Sequence, residues 1–171
     1  LLADVSAITR MEDGGDSIAR ETVDAGAVVA EVCSEYELIA EEKAVTLDNG
    51  IACGTMVTGN AELLASVFRN LVDNALAYSE GDRIELRCQD SGDDVGILTF
   101  VVADNGCGVA PEHLSRLFER FYRVDKGRSR RVGGTGLGLS IVRNAVVWHG
   151  GDIRVENRSG GGLVFTFTLR K

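Results

Sequence analysis

No apolar run in the 171-residue chain approaches a membrane span, and no signal-peptide pattern occurs. There is no CxxC pair. The four cysteines (Cys33, Cys53, Cys88 and Cys107) are scattered, and only His113 and His149 could help them build a zinc site. They read as reduced thiols of a cytosolic protein. With a net charge of −8 and no basic run apart from 126–131, a general nucleic-acid surface is not expected. No Gly-Lys dipeptide occurs, which excludes a Walker A loop, and no eukaryotic-type kinase signature is present. There is a single proline, Pro111, and no initiating methionine.

What is present suits one globular domain. Hydrophobic residues make up 44% and charged residues 26% of a chain long enough for a substantial core. Residues 1–12 place Leu1, Leu2, Val5, Ile8 and Met11 at helical spacing. They are expected to be the end of a helix from a partner domain, with the Asp13-Gly-Gly-Asp16 break as the boundary. This reading divides the chain into 1–14, the end of the helical domain with its linker, and 15–171.

The remainder predicts short strands at 17–23, 44–47 and 55–57. Asp24 is placed to cap a helix over 25–42, with Val28, Val29, Val32, Leu38 and Ile39 inward. Asn60 is placed to cap a second helix over 61–78. Strands follow at 83–88 and 97–103, a short helix at 111–121, a helix at 137–148, and strands at 152–157 and 163–169. Consecutive strands are joined by short turns rather than alternating with helices. The expected fold is therefore α+β: a two-layer sandwich of a mixed, mostly antiparallel sheet covered on one face by about three helices.

Within the second helix, Asn70 and Asn74 lie about 40° apart around the axis. They border a stripe that includes Leu64, Val67, Phe68, Leu71 and Val72. They are either a pair of surface amides or hard oxygen donors for a hydrated Mg²⁺ that carries a nucleotide phosphate. The strand at 97–103 runs into Asp104-Asn-Gly-Cys-Gly108. This is either a common Asp-Asn-Gly turn or a buried carboxylate that accepts the exocyclic amine of adenine, with Gly106 and Gly108 admitting the base. Gly134-Thr-Gly-Leu-Gly138 opens the third long helix as a possible anion cradle of backbone N–H groups, a weak signal by itself. Between these motifs, Arg120, Arg123, Lys126, Arg128, Arg130 and Arg131 reverse the local charge. They form either a solvated loop or a set from which one or two arginines reach a terminal phosphate or an acidic partner.

Taken together, Asn70…Asn74, Asp104-Asn-Gly-Cys-Gly108, Leu117-Phe-Glu-Arg-Phe-Tyr-Arg123 and Gly133-Gly-Thr-Gly-Leu-Gly-Leu-Ser-Ile-Val142 resemble, in order and spacing, the N, first G, F and second G boxes of bacterial sensor histidine kinases. Those kinases share the GHKL, or Bergerat, ATP-binding fold. The stretch 124–130 is similar to the phosphate-regulon type of sensor. The resemblance spans roughly 15–170. It implies that Asn74 holds Mg²⁺, that Asn70 assists near the phosphates, and that Asp104 reads adenine. It also implies nucleotide contacts at Tyr78, Gly106, Gly108, Val109, Gly134, Thr135, Gly136, Leu137 and Gly138. Arg123 would reach the γ-phosphate or the partner helices, and Phe118 and Phe121 would anchor a lid over 109–133. The implied cofactors are ATP and Mg²⁺. The implied partners are a helical dimerisation and phosphoacceptor domain and a response regulator, in a homodimeric, membrane-anchored sensor with this domain in the cytoplasm.

ATP-hydrolysing relatives carry a glutamate four residues before the magnesium asparagine. Here that position is Asn70, which cannot serve as a base, so transfer to a delivered nucleophile is favoured over hydrolysis. Departures from the family pattern are Ala77 for a common lysine, Leu163 for a threonine and Arg170 for a proline. Neither histidine has the acid and proline that follow an acceptor histidine in this family. His149 reads instead as a structural residue at a helix C-terminus. A non-catalytic ATP-sensing module, kept open by Ala77, and a GHKL-type ATPase or protein serine kinase are the alternatives.

Overall fold

The computed structural model describes residues 18–90, 92, 96–124 and 134–171. The expected helical stub at 1–12, the break at 13–16, Gly133 and the basic run at 126–131 lie outside these residues. Chain order is β1 (Glu21–Asp24), α1 (Ala25–Glu42), β2 (Thr46–Asn49), β3 (Met56–Gly59), α2 (Ala61–Tyr78), β4 (Arg83–Asp90), β5 (Ile97–Asp104), α3 (Pro111–Leu114), α4 (Gly138–Trp148), β6 (Ile153–Asn157) and β7 (Leu163–Arg170).

The two longest helices start where their caps dictate. Asp24 accepts the Ala27 N–H at 3.1 Å through one oxygen and the Gly54 N–H at 2.9 Å through the other, so it also ties down the loop before β3. Asn60 accepts the Leu63 N–H at 3.1 Å. Such caps contribute about 1 kcal/mol each by satisfying N–H groups that a helix start leaves without partners.

The main sheet runs β2-β4-β5-β7-β6. Its β2–β4 ladder is parallel and the other three are antiparallel. β1 does not join it; it pairs with β3 in a separate antiparallel ribbon. Period-two alternation sends Leu98, Phe100 and Val102 into the core, beside Ile84 and Leu86 of β4 and Phe165, Phe167 and Leu169 of β7. Phe68 of α2 meets Phe100 and Phe167 at centroid distances of 6.0 and 5.6 Å, and those two rings stack on each other at 5.3 Å. The other face of the sheet is polar near β4, where Arg87 pairs with Asp48 at 2.7 Å and Arg158 reaches Glu85 at 2.7 Å.

The same alternation places Asp104, two residues beyond Val102, on the core side of the sheet, where it is 5% exposed.

One expectation is corrected. Leu38 and Ile39 do not face inward; they are 67% and 42% exposed. Leu38 lies nine residues beyond buried Val29, about 180° around the helix. The inner face of α1 is built from Ala25, Gly26, Val29, Val32 and Ala40 instead.

His149, at the C-terminus of α4, is only 2% exposed. Its Nδ1 lies 2.6 Å from the Ala145 carbonyl, which can only accept, so Nδ1 carries the proton and donates. Nε2 then accepts the Asn60 N–H at 3.1 Å. The ring is therefore neutral, and burial holds its pKa below the usual histidine value. It acts as a two-sided hydrogen-bonding bridge rather than as a charge on the helix dipole. Arg20 lies over the neighbouring Trp148 ring at 4.5 Å.

Candidate nucleotide site

α2 buries Leu64, Val67, Phe68, Leu71, Val72 and Ala75. Its polar edge, Asn70, Asp73, Asn74, Ala77 and Tyr78, forms one wall of a cavity of about 620 Å³. Residues at positions i, i+3, i+4, i+7 and i+8 share a helix face, so one stripe supplies the wall.

The Asn70 amide has a definite orientation. Its Nδ2 donates to the Ser66 carbonyl at 2.8 Å, which turns Oδ1 toward the start of α4. There, a Cβ added to Gly138 would sit 2.8 Å from that oxygen. Glycine at 138 thus makes room for the amide of Asn70. Asn70 and Asn74 together offer neutral, hard oxygen donors that fit Mg²⁺. Among the described residues no group of three or more His, Cys, Asp or Glu side chains forms a metal cluster, so an ion here would rely on amide oxygens, phosphate and water.

The far end of the cavity is formed by Asp104, Gly108, Val109 and Leu163. Asp104 Oδ1 accepts the N–H of Gly106 at 2.9 Å and that of Leu163 at 3.4 Å. Burial raises its pKa, while the two backbone N–H groups and Arg158 oppose the rise. With Oδ1 engaged, Oδ2 is the oxygen left for a ligand. The turn that follows admits no side chain at two glycines. A Cβ on Gly106 would strike the Ser79 carbonyl oxygen at 1.8 Å, and Gly108 has φ +65° with Asn157 Oδ1 only 2.5 Å from its would-be Cβ. Asn157 clamps the next residue, accepting the Val109 N–H at 3.0 Å and donating to its carbonyl at 2.8 Å.

Leu117, Tyr122, Arg123 and Val124 cover the cavity from one side, and Gly134, Thr135, Gly136, Gly138 and Leu139 close it. The Tyr78 hydroxyl is 2.4 Å from where a Gly134 Cβ would lie, with Arg123 at 3.5 Å, so these three residues converge. Tyr122 is fixed by His113 Nδ1 at 2.5 Å and lies under the Arg116 guanidinium at 4.3 Å. Phe118 packs edge-on against Phe165, with centroids 6.2 Å apart.

Phe121 departs from the expected anchoring role. It is 63% exposed and holds φ +61°, a conformation uncommon for a bulky side chain. The cause lies across the cavity mouth: Phe121 N–H donates to the Gly136 carbonyl at 2.9 Å, and Gly136, with φ +74°, lies flat against the Phe121 backbone.

Of the residues expected at the site, Asn70, Asn74, Tyr78, Asp104, Gly108, Val109, Arg123, Gly134, Thr135, Gly136 and Gly138 line the one cavity. Gly106 stands behind it as a donor to Asp104. Leu137 turns away, 1% exposed, into a small cluster with Ile141. Sequence reasoning missed Asp73 and Asn157. Asp73 was signalled only by its i+3 spacing from Asn70, and Asn157 has no local signal.

Residues 59–171 match the family model described as histidine kinase-, DNA gyrase B- and HSP90-like ATPase. The chain is 37% identical over 150 residues to the sensor-like histidine kinase SenX3 of Mycolicibacterium smegmatis, covering 87% of this chain and 38% of that protein. It is 32% identical over 171 residues to the sensor protein kinase WalK of Staphylococcus aureus, covering 99% and 40%. It therefore spans about two fifths of the length of these relatives. Among solved structures, full-length ShkA in complex with AMPPNP superposes with a TM-score of 0.78 at 26% identity, covering 97% of this chain and 34% of that one. The mycobacterial sensor histidine kinase MprB superposes with a TM-score of 0.74 at 26% identity, covering 89% and 97%.

Proposed function

Because this chain belongs to the histidine kinase-, DNA gyrase B- and HSP90-like ATPases, we propose that it is the ATP-binding catalytic domain of a sensor histidine kinase, with residues 15–171 as the catalytic unit. Its product is phosphohistidine on a helical domain, from which the phosphoryl group passes to a response regulator. The observation that carries this reading is the convergence of the Asn70–Asn74 face, Asp104 and the glycine segment 134–138 on one cavity.

Each wall has a chemical task. Asp104 Oδ2 accepts the exocyclic amine of adenine. Guanine would present a carbonyl there, acceptor against acceptor, and is rejected. Val109, Leu139 and Leu163 give the base an apolar bed. Backbone N–H groups at the start of α4 and the Arg123 guanidinium meet the phosphates. Asn74, with Asn70 beside it, would hold a Mg²⁺ ion, which neutralises phosphate charge when bound. Catalysis is then positioning and charge neutralisation. Asn70 has no basic carboxylate with which to activate water, which favours transfer to a histidine over hydrolysis.

The partner helices, homodimerisation and membrane anchoring of the whole protein belong to this proposal. No helix among the described residues is long and apolar enough to cross a membrane.

A second reading, ATP sensing without transfer, draws on Ala77, which leaves the cavity wall without an ammonium group at that turn. Incubation of this chain with γ-labelled ATP and an added acceptor-helix domain separates the two. Labelled phosphohistidine is expected. Binding without label would favour the sensor, and release of free phosphate alone an ATPase.

A further inference from the structure

Arg123 is the single cation among the described residues that line the cavity. Where its guanidinium is held therefore decides which phosphate it can meet. The residue before it, Tyr122, lines the cavity as well. What fixes Tyr122 lies outside the cavity, at the start of the segment that carries both residues.

From α3 the chain runs through three successive turns. The carbonyls of His113, Arg116 and Glu119 accept the N–H groups of Arg116, Glu119 and Tyr122, at 3.0, 2.9 and 3.3 Å. Nine residues of straight helix would span about 13.5 Å. Here Phe121 breaks the run with φ +61°, and Tyr122 returns to the first turn, its hydroxyl 2.5 Å from His113 Nδ1. The Arg116 guanidinium covers the Tyr122 ring at 4.3 Å and is itself held by Glu119 at 3.0 Å. Hydroxyl and ring face are thus both engaged by residues of the same segment. A phenol can donate to a bare Nδ1 or accept from a protonated one, so the contact holds in either state of the imidazole.

We propose that His113 is a positioning residue for the terminal phosphate of the nucleotide: it locks Tyr122, and through Tyr122 it holds Arg123 at the glycine segment that leads into α4. One guanidinium nitrogen of Arg123 lies 3.5 Å from where a Cβ on Gly134 would be. Asp104 takes the base at the far end, so the last phosphate is the group this guanidinium meets. An unheld arginine loses backbone and rotamer freedom on meeting a phosphate, whereas one held in place beforehand loses less. The inference rests on the nucleotide reading above and adds to it the histidine that sets the Arg123 position.

The test is calorimetric affinity for ATP and for ADP, both with Mg²⁺, of the 171-residue chain and its variants. Tyr122→Phe removes the hydroxyl and keeps the ring. His113→Leu removes the partner, and His113→Asn returns a polar atom near the Nδ1 position. Thermal melting checks each fold, and Tyr122→Phe, which deletes one oxygen, decides the matter where His113→Leu unfolds. Tyr122→Phe and His113→Leu are each expected to lower ATP affinity about 5-fold, with at most a small change for ADP. His113→Asn should recover most of that loss. Arg123→Ala should lower ATP affinity by about 10-fold or more, and in that background Tyr122→Phe should have little further effect. No change in ATP affinity, equal losses for ATP and ADP, or a full effect of Tyr122→Phe without Arg123 would overturn the role of His113. A wild type that binds neither nucleotide would instead overturn the nucleotide reading, and this proposal with it.

Discussion

His149 Nε2 accepts the backbone N–H of Asn60 at 3.1 Å, so the residue that ends α4 holds the residue that caps α2. Gly59 completes the joint, because a Cβ there would lie 2.1 Å from the imidazole ring. The asparagine-bearing helix is thereby fixed at its start by a neutral imidazole.

That joint has a pH signature. Burial lowers the His149 pKa in the folded state. The unfolded chain therefore takes up the proton first as pH falls. The stability from the neutral ring is fully present above the unfolded value of about 6.5 and is lost as pH falls from there through the folded pKa. His149→Ala is expected to cost about 2–4 kcal/mol at pH 7.5 by opening a cavity and leaving the Asn60 N–H without its partner. It should also flatten this acid limb of the stability curve. Urea denaturation of both proteins at pH 7.5 and at pH 5.5 checks this; a wild type–variant difference that stays constant between the two pH values would contradict it.

Asp104 presents the opposite trade. Its carboxylate is buried and its pKa is raised, so the folded state binds this proton more readily than the unfolded chain does. Ionised Asp104 thus opposes folding near neutrality, and its own contribution becomes more favourable as pH falls through the folded pKa. Asp104→Asn keeps an oxygen for the Gly106 and Leu163 N–H groups while removing the charge. Thermal melting at pH 7.5 is expected to show an equal or higher Tm. ATP affinity should fall about 100-fold or more, because the amide cannot reproduce the carboxylate's acceptor pattern without reorienting. Retained affinity would remove Asp104 from the site.

How far the chain could be read in advance depended on how local each cause is. Asp24 and Asn60 act on N–H groups three residues away, and both helices begin beside them. The placement of Asp104 followed from strand alternation. Asp73 reads as an ordinary surface acid until the cavity exists, since only folding brings β5 and α4 opposite the polar edge of α2. Asn157 acts on Val109 across 48 residues, and Phe121 takes its φ from a hydrogen bond to Gly136; neither pairing leaves a local pattern. Leu38 falls on the solvent side by helical angle, about 180° from Val29, whereas Ile39 is seven residues and about 20° from buried Val32 and is still 42% exposed, so helical spacing does not signal its exposure.

The backbone at Phe121 yields a third prediction. A phenylalanine at φ +61° bears a cost of about 1–2 kcal/mol relative to glycine, and its ring is largely exposed. Phe121→Gly is therefore expected to leave Tm unchanged or raise it, the gain being reduced by the freer unfolded chain. If the exposed ring serves the phosphotransfer reaction, the same variant will slow labelling of the acceptor domain while keeping its Tm. A sharp fall in Tm would show that the ring packs more firmly than its exposure indicates.

Gly138 offers the most direct test of the cavity's architecture. Its φ is not in the left-handed region, so alanine suits the backbone, and within a helix alanine is favoured over glycine by up to about 1 kcal/mol. The new methyl group, however, would lie 2.8 Å from Asn70 Oδ1, closer than carbon and oxygen tolerate. The flexible amide must swing away, breaking its hydrogen bond to Ser66. Gly138→Ala should therefore weaken ATP binding by about 10-fold or more without lowering Tm. In the Asn70→Ala background the same substitution should cost little, because the amide it displaces is gone. Equal effects of Gly138→Ala in both backgrounds, measured as a double-mutant cycle on ATP affinity, would mean that the glycine serves the phosphate directly and that Asn70 is independent of it.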